Sequence, residues 1–190
     1  MSGRSPHRQR PAILAGLILL AQGCPEGFRH FGGSVQAFLA SLAPLVAFPL
    51  VGGLLIATSG RPAEGLMSFL ETICVLLAQP VISEALAERW GRGDQWLRYA
   101  TAFNWCQWLI PLLAIALLAM GGLLLSFGMP SGLIAPLLLT GIICYALWLQ
   151  WFLARRGLDI SALQAVALVV LVNLGTAILL LFPRLLASFG

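Results

Sequence analysis

Long apolar stretches alternate with short polar breaks along this chain, and that alternation predicts its elements. Five stretches are long enough to cross a hydrocarbon core, which takes about 20 helical residues. They fall at about 36–58, 65–86, 100–127, 133–153 and 160–182. A further apolar piece, Ala12–Ala21, is only ten residues long. As a helix it covers about 15 Å, half of a core about 30 Å thick, so it cannot span alone. Pro11 suits a first helical turn, whereas Pro25 and Gly27 stop a helix. Phe28, Arg29, His30 and Phe31 suit headgroup level. The segment of about 11–31 is therefore expected to be a helix lying on the membrane or dipping into one leaflet. The expected fold is all-α, a polytopic transmembrane helix bundle of five spans behind an N-terminal interfacial helix. Residues 1–35 form the N-terminal part and residues 36–190 the transmembrane domain.

The breaks carry turn chemistry. Ser34 follows Gly32-Gly33 and suits an N-cap. Pro44 and Pro49 lie inside the first span, where each frees a backbone carbonyl and kinks the helix. Gly52-Gly53 permit close helix approach, and Ser59-Gly60-Arg61-Pro62 is a turn. Ala87–Tyr99 reads as a polar hinge with Trp90, Trp96 and Tyr99 as an aromatic belt. Trp148 and Trp151 share a helix face and read as a second belt. The third span opens with Asn104-Trp105-Cys106-Gln107-Trp108 before Pro111, and is long enough to tilt or to begin in the interface.

Composition fixes the class. Hydrophobic residues make up 59% and charged residues 9%, with a mean hydropathy of +0.93. Soluble domains carry about 25% charged residues, and a water-soluble fold of this size could not hide so much apolar surface. Arg4, His7, Arg8 and Arg10 before Ala12–Ala21 have the outline of a signal peptide. The residues Gly23-Cys24-Pro25-Glu26 lack a small-x-small cleavage site, so an attached helix is the expectation. Ala21-Gln22-Gly23-Cys24 also resembles a lipidation box, apart from Gln22.

All eleven basic residues are arginines. Five spans put nine of them on one side: Arg4, Arg8, Arg10, Arg29, Arg89, Arg92, Arg98, Arg155 and Arg156. Arg61 and Arg184 lie on the other. Merging or deleting a span would scatter them. By the positive-inside rule the N-terminus is expected in the cytoplasm and the C-terminus in the periplasm, across a bacterial inner membrane. The arginines form no continuous basic face, so no nucleic-acid partner is expected. Membrane lipids, anionic ones above all, are the expected partners, with Arg8, Arg10, Arg29, Arg155 and Arg156 at the headgroups. Other membrane proteins, or a second copy of the chain, are further expected partners.

Candidate chemistry is sparse. Cys24, Cys74, Cys106 and Cys144 stand singly, without a CxxC or Cys/His spacing. Both histidines, His7 and His30, lie near the N-terminus. There is no GxSxG, P-loop, HExxH or acidic cluster, so no catalytic residue, metal or cofactor is expected. Glu71 lies inside the second span, where a charged carboxylate costs a few kcal/mol. It suits either a proton or cation site or a hydrogen-bonded strut. Glu84 is about 20 Å further along and about 140° around the helix, so the two do not form a pair. Asn104, Gln107 and Asn173 suit hydrogen bonds between helices, worth about 0.6–2 kcal/mol each.

The run Leu147-Trp148-Leu149-Gln150-Trp151-Phe152-Leu153-Ala154-Arg155-Arg156-Gly157-Leu158-Asp159-Ile160-Ser161, then Gln164-Ala165, resembles the bacterial Yip-type membrane domain. So do Ala102-Phe103-Asn104-Trp105-Cys106-Gln107 and the short helix ending near Gly23–Phe31. The likeness covers most of the chain in layout, with short motifs. It implies five spans, a cytoplasmic N-terminus and no catalytic residues. Eukaryotic relatives bind small GTPases and shape membranes, but this N-terminus is much shorter, so GTPase binding does not carry over. The expected role is non-enzymatic: membrane organisation, or partnership with another membrane component. The alternative is a small transporter or channel subunit using Glu71.

Overall fold

The structure, a computed structural model, describes residues 13–128 and 130–189. These form α1 (Ile13–Ala21), a 3₁₀ helix (Pro25–His30), α2 (Val35–Thr58), α3 (Pro62–Arg89), α4 (Gly93–Cys106), α5 (Leu109–Ser126), α6 (Ser131–Gly157) and α7 (Ala162–Phe189). No strand occurs among the described residues. Five helices are long and apolar enough to cross a bilayer, with α4 and α5 counting together as one. Only between 6% and 22% of each one's most apolar window is buried inside the protein. The remaining apolar surface needs lipid, and the chain is a multi-pass membrane protein.

Local chemistry sets the ends of the helices. Ser34 caps α2, its side chain accepting from the Ala37 amide at 3.2 Å. Gly91 takes a φ of +69° after α3, and the Arg92 amide then reaches back to the Ala87 carbonyl at 2.8 Å. That left-handed closure needs only three residues, Trp90–Arg92, to turn the chain into α4. Ser161 and Gln164 cap α7 reciprocally: each side chain accepts the other's amide, at 3.2 and 2.9 Å. This is a capping box, and it gives physical meaning to the Ser161…Gln164-Ala165 step.

Two expectations need correction here. The segment of about 11–31 is not one helix but a hairpin. Gly27 packs against the Gly16 carbonyl and Leu20, while Gly16 faces His30 and the Phe31 ring. Its tip, Gln22–Cys24, lies against α6, where Tyr145 donates to the Ala21 carbonyl at 3.0 Å and Trp148 covers Gly23. Along α6, Tyr145 and Trp148 stand about 18 and 14 Å from Gly157, and Gly157 itself meets the Phe28 ring. The hairpin therefore penetrates to about half the depth of the bundle and returns. Leu17, Leu20, Phe28 and Phe31 are all buried, so its apolar side is spent largely on protein.

The second correction concerns the third span. It breaks at Gln107-Trp108, between α4 and α5. Pro111 has no amide to give the Gln107 carbonyl, and its ring crowds that carbonyl. The hinge expected at Ala87–Tyr99 shrinks accordingly, because α4 already starts at Gly93.

The core gathers at one end. The buried cluster draws on Leu17–Phe31, Ala87–Cys106, Leu149–Ile160 and Ala165–Val172, all towards the arginine-rich end. Trp96 and Tyr99, read from sequence as belt residues, are inside it, 7% and 0% exposed. At the other end α2 packs on α3, α3 also on α7, and α5 on α6. Gly53 and Gly65 bring α2 and α3 into backbone contact, and Gly121 seats Leu138 and Ile134 of α6 against α5. A Cβ at Gly65 would run into the Gly53 carbonyl and the Ala57 amide. Gly65→Leu is therefore expected to destabilise the protein by about 1–3 kcal/mol through overpacking. Steric-trap or denaturant unfolding in bicelles would measure this, with Gly52→Leu, whose Cβ meets nothing within 4 Å, close to wild type.

Candidate functional site

α4 lies in the middle of the core, and a relay of buried polar side chains fastens it there. Asn104 Nδ2 donates to Ser41 Oγ at 3.0 Å, and Ser41 Oγ donates to the Phe38 carbonyl at 2.6 Å. The serine proton is thereby spent, so Ser41 can only accept from the amide. One to two helical turns before it, Gln79 Nε2 donates to the Tyr99 hydroxyl at 3.4 Å, and Trp96 Nε1 donates to Ser83 Oγ at 3.0 Å. These bonds tie α4 to α2 and to α3. Ser41, Gln79, Ser83 and Asn104 are all buried. In a low-dielectric interior such bonds are costly to leave unmade.

Beside this relay lies a cavity of 330 Å³, where α2, α3, α4 and α7 meet at the α4–α5 break. Its walls are Leu45, Thr72, Val75, Leu76, Gln79, Phe103, Asn104, Gln107, Val172 and Thr176. Thr72, Val75, Leu76 and Gln79 follow the i, i+3, i+4, i+7 rule and so form one face of α3. Half of the lining is apolar and half is uncharged polar. A second pocket, of 460 Å³, opens at the arginine-rich end among Phe28, Gly33, Asp94, Gln95, Arg98, Arg156, Gly157 and Asp159. It joins the hairpin to α4 and to the α6–α7 turn. Arg92 pairs with Asp159 at 3.5 Å on its rim.

The structure separates the residues singled out from sequence. Glu71 is half-buried on α3 but lies outside the cavity lining, and it makes no hydrogen bond or ion pair among the described residues. Glu84 is exposed on the same helix. Asn104 and Gln107 both reach the cavity. Asn173 lies apart, donating to Gln150 Oε1 and to the Val169 carbonyl, both at 2.8 Å. Arg29 is exposed on the 3₁₀ helix, Arg155 lies 5.2 Å over the Trp151 ring, and Arg156 lines the arginine-side pocket. Arg8 and Arg10 are outside the described residues. Trp148, read as a belt residue, stacks on Phe152 at 5.6 Å and covers the hairpin tip.

Thr72, Gln79 and Thr176 were given no role from sequence. The usable signal was the spacing of Thr72 and Gln79, seven residues apart on one helix, which puts them on a single face. No metal-ligand cluster occurs among the described residues. No family model, curated protein or solved structure matches the chain.

If Asn104 and Ser41 hold α4 to α2, their effects must be coupled. Asn104→Ala is expected to cost about 1–2 kcal/mol, and a double-mutant cycle with Ser41→Ala to give a coupling of about 0.5–1.5 kcal/mol. Additive losses would show that the pair does not interact.

Proposed function

We propose that this chain is a non-enzymatic inner-membrane protein, Yip-like in layout, that organises lipid around itself. The observation that carries the reading is the half-depth hairpin packed into the arginine-rich end. It adds helical cross-section in one leaflet and none in the other. Insertion confined to one leaflet expands that leaflet and favours curvature convex toward it. By the arginine count this is the cytoplasmic leaflet.

The charge layout supports the same reading. Arg29, Arg98 and Arg156 lie near the hairpin base or line the pocket beside it, where headgroup phosphates would sit. Each basic residue near an anionic surface adds about 1 kcal/mol of attraction. Arg155 stacks on Trp151, which pins the end of α6 at the same level.

The test is reconstitution into vesicles containing phosphatidylglycerol and into neutral phosphatidylcholine vesicles, with diameter read by cryo-electron microscopy. Wild type is expected to yield smaller vesicles than a variant lacking residues 1–31, and the difference to be larger on the anionic lipid. Equal diameters for both proteins on both lipids would remove the proposal. Gly16→Leu with Gly27→Leu pries the hairpin apart where it is closest, and is expected to behave as the deletion does.

A further inference from the structure

The 460 Å³ pocket at the arginine-rich end gathers four charged side chains from two helices and a turn. Asp94 and Arg98 come from α4, Arg156 from the last turn of α6, and Asp159 from the turn that follows. Opposite charges that share a pocket can neutralise one another, yet these stand apart. Asp94, Arg98 and Arg156 make no ion pair among the described residues. Asp94 and Arg98 are four apart on one helix face, the spacing at which such a pair forms readily. The pair that does form, Arg92 with Asp159 at 3.5 Å, is on the rim and well exposed.

The walls set these groups in place. Arg98 lies along Gly33, where a Cβ would stand 3.6 Å from Arg98 Cβ and 3.8 Å from its Nε. The Phe28 ring is buried against Gly157 and gives the pocket an apolar side. Asp159 holds a φ of +51°, the only positive value of a non-glycine residue among the described residues. Glycine takes that conformation at less cost. A carboxylate therefore stands at 159 against the preference of the backbone, a feature that marks functional positions. The long, exposed pair with Arg92 is worth too little to account for it.

Size, sign and level narrow the occupant. Pockets for small ligands run to about 300–1,000 Å³, and this one falls in that range. Two unpaired guanidinium groups suit a phosphate, which arginine meets with parallel N–H donors. An anion held by Arg98 then lies close to Asp94, one turn away on the same face of α4. A purely anionic group is repelled there. A group with an ammonium beside its phosphate is attracted at both places. The carboxylate also needs N–H donors, which a primary ammonium has and a quaternary one lacks. Lipid-facing side chains begin within four residues of the pocket, at Val35 after Gly33 and at Leu163 after Asp159, so acyl chains have an apolar surface to follow.

We propose that this pocket binds phosphoethanolamine, a phosphodiester joined through two carbons to a primary ammonium. Arg98 and Arg156 take the phosphate, and Asp94 and Asp159 take the ammonium. The inference rests on the reading of this end as headgroup level and names the head that the pocket selects. Arg29 and Arg155, which do not line it, remain for anionic lipid. The group can arrive as the head of a membrane lipid or as a soluble ester, and the test separates the two.

The test places the full-length protein in nanodiscs of equal parts phosphatidylethanolamine, phosphatidylglycerol and phosphatidylcholine, and counts the lipids it keeps on release by native mass spectrometry. Phosphatidylethanolamine is expected to be kept about three- to tenfold more than phosphatidylcholine, and its N,N-dimethyl form, run in its place, to fall between them as N–H donors are lost. Asp94→Asn with Asp159→Asn is expected to abolish that preference and to leave phosphatidylglycerol retention unchanged or raised, a change of selectivity that misfolding does not produce. Asparagine tolerates the same φ at 159. Arg98→Gln with Arg156→Gln is expected to lower retention of all three lipids. A second arm adds glycerophosphoethanolamine or glycerophosphocholine to the protein in phosphatidylcholine nanodiscs and reads binding by calorimetry. A lipid preference, with or without binding of the ester, assigns the lipid head. Ester binding that needs the two carboxylates, without a lipid preference, assigns the soluble form. No preference in either arm, or a preference that survives the double asparagine variant, would overturn the proposal. Vesicle diameter is compared on lipids without ethanolamine heads, so either test can fail while the other holds.

Discussion

In hydrocarbon, a backbone or side-chain polar group has no water to fall back on, and every part of this structure answers to that constraint. The answer takes two forms. At the arginine-rich end, polar side chains find one another across helices, and Ser41, Ser83, Tyr99 and Asn104 lock α4 into place. One level further in, Pro49, Pro80 and Pro111 each leave the carbonyl four residues earlier without its helical donor, at Leu45, Leu76 and Gln107, three residues that line the cavity.

The relay also explains why α4 can afford to be a separate helix. Its residues Tyr99, Ala100 and Ala102 are fully buried and Phe103 nearly so, which leaves little of its surface for lipid. Such a helix is held by what surrounds it, on α2, α3, α6 and the hairpin, more than by continuity with α5. The Gly157 and Tyr99 contact at the base of α6 and the Trp148 lid over Gly23 extend the same packing outward to the hairpin.

Much of this was legible in the chain. Apolar length predicted five membrane-length helices, because lipid imposes a length that soluble cores do not. Ser34 marked the start of α2 through its side chain. The hairpin was harder to see, since its fold rests on Gly16 and Gly27 meeting each other and on α6, a tertiary fact with no periodic trace. The α4–α5 break carried a signal in Pro111, but proline inside a span predicts a kink as readily as a stop. Trp96 and Tyr99 misled for a different reason. Aromatic residues beside arginines suit a headgroup belt, yet Ser83 and Gln79 offered these two buried partners. The cavity takes its walls from α2, α3, α4 and α7 together, which no local window contains.

Packing confined to one end has a mechanical consequence. At the core end nearly all the helices meet, while beyond it α2, α3 and α7 stay packed as one group and α5 stays with α6. Each group has its own close glycine approach, Gly53 to Gly65 in the first and Gly121 to Ile134 and Leu138 in the second. A fault at one glycine contact therefore loosens its own group of helices and leaves the other in register.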